Sequence, residues 1–159
     1  MDCILKGSEA SGHSASKVYL YDYDISPCID CRRCKRDDNV CPLKDGMREI
    51  YPMMEGADLI VFGTPIYWYG PTGVMKLLID RMRPFIASGK LRGKKGMVVA
   101  PSEEGPECCG PLTEMFGMSF QYLGMTSAGS LLARAYEKGE IKNSPEYLDQ
   151  ACALGKSLL

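Results

Sequence analysis

The stretch "ADLIVFGTPIYWYGPTGVMKLLIDR", Ala57 to Arg81, decides the fold. Its apolar run "DLIVFGTP" lacks the polar alternation of a half-exposed strand, so it reads as a strand covered on both faces. The run ends in Gly-Thr-Pro, a loop signal. Beyond the loop, Pro71 and Thr72 stand at a helix start, and Val74, Leu77, Leu78 and Met82 then share one face at helical spacing. Buried strand, loop and helix in succession form the repeating unit of α/β folds with a parallel sheet and right-handed crossovers.

The unit recurs along the chain. "KKGMVVAPS" and "TSAGSLLA" read as further strands, and "KVYLYDYDI" (Lys17 to Ile25) predicts another from its β-rich composition. "GMREIYPMMEGA" carries Met47, Ile50, Met53 and Met54 at helical spacing, with Pro52 weakening its middle. "GPLTEMFGMSFQYLG" predicts a helix, and "SPEYLDQACALGKSLL" a closing one, with Ser144 as its cap and Pro145 in its first turn. No repeat, low-complexity tract or linker divides the 159 residues. One domain over 1–159 is expected, with a cysteine-rich insertion at 26–45. In such sheets ligands bind outside the carboxyl ends of the strands, which singles out "TPIYWYGPTG" (Thr64 to Gly73) and "APSEEGPECCG" (Ala100 to Gly110).

Composition narrows the function classes. A net charge of -1 provides no field for nucleic acid or an anionic membrane. No apolar run approaches the ~20 residues of a membrane helix, and "MDCILKGSEASG" lacks the shape of a signal peptide. Eight cysteines without a secretion signal favour a reducing, cytoplasmic setting, where close cysteines bind metal more often than they form disulfides. His13, the lone histidine, lies in a polar run and is read as solvated.

Half of those cysteines fall in "CIDCRRCKRDDNVCP": Cys28, Cys31, Cys34 and Cys41, spaced C-x2-C-x2-C-x6-C. Four thiolates suit zinc and a [4Fe–4S] cluster alike. Zinc sites more often read as two separated C-x2-C pairs, whereas a tight run with a later Cys-Pro is closer to ferredoxin-type ligation. The x6 gap departs from the ferredoxin spacing, and zinc or redox-active thiols remain alternatives. Cys108 and Cys109 are adjacent and read as inert loop thiols; Cys3 and Cys152 read as packing residues in helices. Tyr67, Trp68 and Tyr69 crowd one loop, which suits either a flat ligand or packing on a neighbour.

The Ala57–Arg81 stretch, together with "GMTSAGSLLARAYEKGEI", resembles the flavodoxin-like NAD(P)H-dependent FMN reductases from Lys6 onward. The compact cysteine motif after the second strand resembles that of their iron–sulfur flavoprotein branch. The resemblance implies a flavodoxin-like three-layer sandwich and an oxidoreductase that carries FMN and a [4Fe–4S] cluster. It places Thr64, Pro65, Ile66, Tyr67 and Trp68 along the isoalloxazine ring, with Pro101, Ser102, Glu103 and Gly105 flanking it. Cys28, Cys31, Cys34 and Cys41 would hold the cluster, with Arg32, Arg33, Lys35 and Arg36 offsetting its charge or docking an acidic carrier. Electrons would come from NAD(P)H or a ferredoxin-like electron carrier. A homodimer or homotetramer is implied, with one subunit's cluster near another's flavin.

At the front, "ILKGSEASGHSASKVYLYDYDISPC" reads as the end of the first helix, a turn and the second strand. The expectation is that about 25 residues are lacking, so that the N-terminal strand and phosphate loop are truncated or degenerate. Two weaker readings make "GSEASGHSAS" the phosphate loop or "MDCIL" a rudimentary strand. Two functional rivals also stand: a cluster-free NAD(P)H:FMN or quinone reductase, and a non-catalytic metal-binding or interaction module.

Overall fold

The structure, a computed structural model, describes residues 1–36 and 39–158; Asp37 and Asp38 of the cysteine stretch lie outside it. Helix α1 (Asp2–Ala10) leads into an irregular segment with 3-10 turns at Leu20–Asp22 and Arg33–Lys35. There follow α2 (Met47–Gly56), β1 (Leu59–Gly63), α3 (Gly73–Asp80), α4 (Arg83–Ser88), β2 (Lys95–Ser102), α5 (Gly110–Leu123), β3 (Thr126–Arg134) and α6 (Pro145–Ser157).

The described strands form one parallel sheet in the order β1-β2-β3. β1 runs in register with β2 from Leu59 opposite Lys95 to Gly63 opposite Val99. On the other side of β2 the register shifts between Gly96 and Val98. The one extra residue on β3 is absorbed at Gly129, whose φ of 91° is one that glycine adopts without strain.

Alternate strand residues serve two cores, as the period of two demands. Phe62, Val98 and Ala100 join Met47, Ile50, Leu78, Phe85, Phe116 and Phe120 under α2 to α5. Met97, with Val61, Val99 and Leu131 packed around it, joins Ile4, Ala151 and Leu158 beneath α1 and α6. The result is a three-layer sandwich in which β2 is covered on both faces, while β3 is largely exposed and buries only Ala133. α1 and α6 touch through glycines: a Cβ on Gly7 would strike the Cys152 carbonyl, and one on Gly155 the Ile4 carbonyl. Among the described residues, no helix is long and apolar enough to cross a membrane.

Three expectations are corrected. Residues 17–25 do not form a strand: Asp22 N–H bonds to Tyr19 O and Tyr23 N–H to Leu20 O, turn bonds in place of a ladder. Val18, Leu20, Tyr23 and Ile25 still face the core while Tyr19 and Tyr21 stay exposed, with the 3-10 turn breaking the period between Leu20 and Tyr23. β composition reports such a half-buried surface, but only a neighbouring strand makes it a ladder. Second, Asp2–Ala10 is helical, as the first-helix reading requires, so "MDCIL" is no strand and "GSEASGHSAS" runs out of the helix's C-terminal end. That end carries partial negative charge, the wrong polarity for cradling a phosphate. Third, the helix expected to start at Pro71 and Thr72 and carry Val74 to Met82 on one face ends at Asp80 and a second begins at Arg83, because the ring of Pro84 clashes with the carbonyl four residues back, at Asp80.

Candidate functional site

The loops after β1 and β2 lie side by side at the carboxyl edge of the sheet, where the sequence placed a site. Thr64, 3% exposed, fastens the first of them. Its N–H donates to Val99 O at 3.0 Å, and its Oγ1 accepts the Thr72 N–H at 3.0 Å, closing the base of the loop. Thr72 in turn caps α3, its side chain accepting from Met75 N–H. Ile66 N–H donates to Pro101 O at 3.3 Å and binds the first loop to the second.

Between these anchors the chain makes a two-residue hairpin. Tyr67 and Gly70 exchange both backbone hydrogen bonds, at 2.9 and 3.0 Å. Trp68 and Tyr69 occupy the turn with φ of 51° and 63°, the doubly left-handed pattern of a type I′ turn. Asn and Gly normally fill those positions, and bulky residues there carry strain that recurs at functional sites. Trp68 is 96% exposed, and Tyr67 and Tyr69 also project outward.

The second loop leaves β2 at the buried Ser102, whose carbonyl accepts the Ala135 N–H at 2.9 Å. Arg134 Nη2 donates to Glu104 O at 2.9 Å, so the end of β3 supports this loop from the far side. Glu103 is exposed, and Gly105 turns at φ 104°. The Cys108 thiol donates to Glu104 Oε2 at 2.9 Å, and that carboxylate pushes the thiol's pKa up. Burial does the same for Cys109. Both therefore stay protonated and weakly nucleophilic.

All four cysteines of the 28–41 stretch are free thiols, Cys34 buried, Cys28 and Cys41 half-buried and Cys31 exposed. They are close enough to influence one another. Burial pushes the Cys34 thiol up, and Cys41, Cys28 and Cys31 add to that, against an opposing pull from Arg83. Among the described residues, no three Cys, His, Asp or Glu side chains form a ready ion site. Of the loop cations expected to offset a cluster's charge or dock an acidic carrier, Arg33, Lys35 and Arg36 are exposed and Arg32 pairs with Asp30.

The cations at the thiols come instead from the junction between α3 and α4. Arg81 is 1% exposed. Its Nη1 donates to Ser26 O at 2.7 Å and to Asp45 Oδ2, and its Nη2 donates to Asp45 Oδ1 at 3.1 Å and to Cys41 Sγ at 3.4 Å. Asp45 also accepts the N–H groups of Ser26 at 3.0 Å and Met47 at 3.1 Å. Burial works to raise the Asp45 carboxyl, but Arg81 and those N–H groups outweigh it and hold it below the usual range. Tyr51 Oη donates to the Arg81 carbonyl at 2.7 Å, and burial, with Cys41 nearby, pushes the phenol up. Arg83 pairs with Asp30 at 2.6 Å and also lies beside Cys28. Sequence reasoning passed over Arg81, Asp45, Tyr51 and Arg83. One usable signal was there: a charged "DRMR" ending an otherwise apolar helix face.

Parallel strands between two helical layers, with the loops after β1 and β2 side by side at the carboxyl edge of the sheet, define a flavodoxin-like protein. The fold matches that of a WrbA-like flavodoxin from Agrobacterium tumefaciens with a TM-score of 0.62, at 18% identity, over 99% of this chain and 83% of that one. The sequence pattern of the NADPH-dependent FMN reductase family matches residues 1–135, and the chain belongs to that family of oxidoreductases. A Bacillus subtilis protein named as an NAD(P)H-dependent FMN-containing oxidoreductase, YwqN, is 28% identical over 96% of this chain and 88% of its own length. The iron–sulfur flavoprotein MJ1083 of Methanocaldococcus jannaschii is 40% identical over 52% of this chain, a match that spans 42% of that protein.

Proposed function

We propose that this chain works as an iron–sulfur flavoprotein, passing electrons between NAD(P)H or a ferredoxin-like carrier, FMN and a [4Fe–4S] cluster. When bound, FMN takes two electrons as hydride from a nicotinamide, and a cluster passes electrons one at a time. Thr64, Pro65, Ile66, Tyr67 and Trp68 line the ring from one loop, and Pro101, Ser102, Glu103 and Gly105 flank it from the next. The bond from Ile66 N–H to Pro101 O keeps the two loops at a fixed separation. Cys28, Cys31, Cys34 and Cys41 supply the thiolates. The donor set fits such a cluster in kind: four soft ligands that influence one another electrostatically, with guanidinium groups beside them.

The observation that carries this reading is the position of α3. Its first turn is fixed to the flavin loop through Thr72 and Thr64. Its last residue leads directly to Arg81, which bonds Cys41. Eight residues of helix, about 12 Å, separate the two candidate sites. The exposed hairpin at Tyr67–Gly70 is apolar surface that a second subunit covers in a homodimer or homotetramer.

The cluster-free reductase remains the rival, favoured by the near full-length likeness to an oxidoreductase not named for a cluster. Changing Cys31 and Cys34 to serine separates them. The proposal expects NAD(P)H-driven reduction of a one-electron acceptor protein to be lost while two-electron reduction of a quinone persists. Survival of both activities would favour the rival.

A further inference from the structure

Arg81 carries more than a fold requires. Its guanidinium is buried, engages Asp45 through both terminal nitrogens and still directs one N–H of Nη2 at Cys41 Sγ. Its Nε is buried without a hydrogen-bond partner. An ion pair with Asp45 explains neither the donor aimed at sulfur nor the orphaned one, since buried donors are normally satisfied.

Its neighbours add a second point. Ser26, whose carbonyl and N–H both enter this network, stands two residues before Cys28, and Asp45 stands four after Cys41. The guanidinium therefore clamps both ends of the cysteine segment and touches its last thiol. Outer partners of this kind orient metal ligands and tune the metal they hold.

We propose that Arg81 is a positioning and tuning residue: it holds Cys41 in place for ligation and hydrogen-bonds its sulfur, raising the reduction potential of the bound cluster. This rests on the cluster reading above. The cluster becomes more negative when it gains an electron, so a fixed donor to a ligand sulfur favours the reduced form. Arg81 is suited to this because a guanidinium cannot lose its proton and presents its donors in a rigid fork. Lysine keeps the charge but cannot bond Ser26, Asp45 and Cys41 in that geometry.

The test uses the full chain, reconstituted anaerobically with iron and sulfide, in wild type and Arg81→Lys. Iron per chain and the potential from dye-mediated titration followed by electron paramagnetic resonance are read together. The expected result is a cluster in both proteins, with the variant's reduced-to-oxidised ratio at fixed poise lowered about tenfold, which is about 59 mV for a one-electron couple. Equal iron and equal potential would overturn the role of Arg81 and leave the cluster reading intact. No iron uptake by folded wild type would overturn the cluster reading itself. Should Arg81→Lys fail to fold, the paired variant Arg81→Met with Asp45→Asn removes both buried charges together, an exchange that cores often tolerate. The same lowered potential is expected from it, and an unchanged one again counts against the proposal.

Discussion

Arg81 and Asp45 form a two-pronged ion pair whose side chains are only 1% and 4% exposed, and it joins the end of α3 to the end of the cysteine segment. Removing one partner leaves the other as an uncompensated buried charge. Asp45→Ala is expected to cost about 3–5 kcal/mol in urea denaturation. Lys76→Ala, which breaks the exposed pair with Asp80, is expected to cost no more than about 0.5 kcal/mol. Equal effects from the two would show that the buried pair is not what holds the segment.

The same pair sets a pH response. The Asp45 carboxyl is held below its ordinary value in the folded chain. The stability it contributes is therefore fully present above the unfolded value of about 3.9 and is lost as pH falls through the lower folded one. Acid unfolding of wild type should begin below about pH 4, and Asp45→Asn should flatten that limb of the stability curve. An acid limb identical in the two proteins would assign it to other carboxyls.

Trp68 is the chain's only tryptophan and stands 96% exposed, so its fluorescence reports on the hairpin alone. Emission typical of a solvated indole is expected from dilute monomer, shifted to the blue when a second subunit covers the hairpin and quenched when FMN is added. Trp68→Ala should change stability by no more than about 0.5 kcal/mol and weaken FMN binding roughly tenfold, the weight of one aromatic stack. Quenching without any loss of affinity in the variant would place the ring elsewhere.

What was legible in the sequence follows from which interactions are local. β1 and β2 are apolar runs bounded by glycine, proline or charge, and residues of β1 pack into both cores as its run predicts, whereas β3, read as a strand from a more polar run, is largely exposed. The Gly-Thr-Pro after β1 announced the loop, and Thr64 then proved to be its buried fastener. Residues 17–25 misled because composition reports burial of one face and says nothing of a partner strand. Arg81 and Asp45 are 36 positions apart, and nothing local to either reveals that one salts the other out of water. The hairpin's left-handed Trp68 and Tyr69 were hidden for a different reason, since neither residue type favours that conformation.

The contact between α1 and α6 predicts a steric effect. Gly7→Ala and Gly155→Ala each drive a methyl group into a facing carbonyl. Each should lower stability by about 1–3 kcal/mol in thermal melts, the range of overpacked interfaces. Gly56→Ala, at the end of α2 where an added Cβ meets nothing, should differ from wild type by less than about 1 kcal/mol.

The central claim is that the loops after β1 and β2 hold a flavin while Cys28, Cys31, Cys34 and Cys41 hold an iron–sulfur cluster. The most direct measurement is the visible spectrum of protein purified without oxygen and supplied with FMN, taken with iron and zinc content. The account predicts about four irons per chain and a broad absorbance beneath the flavin bands that dithionite bleaches. One zinc per chain with no iron, and only flavin bands in the spectrum, would contradict it.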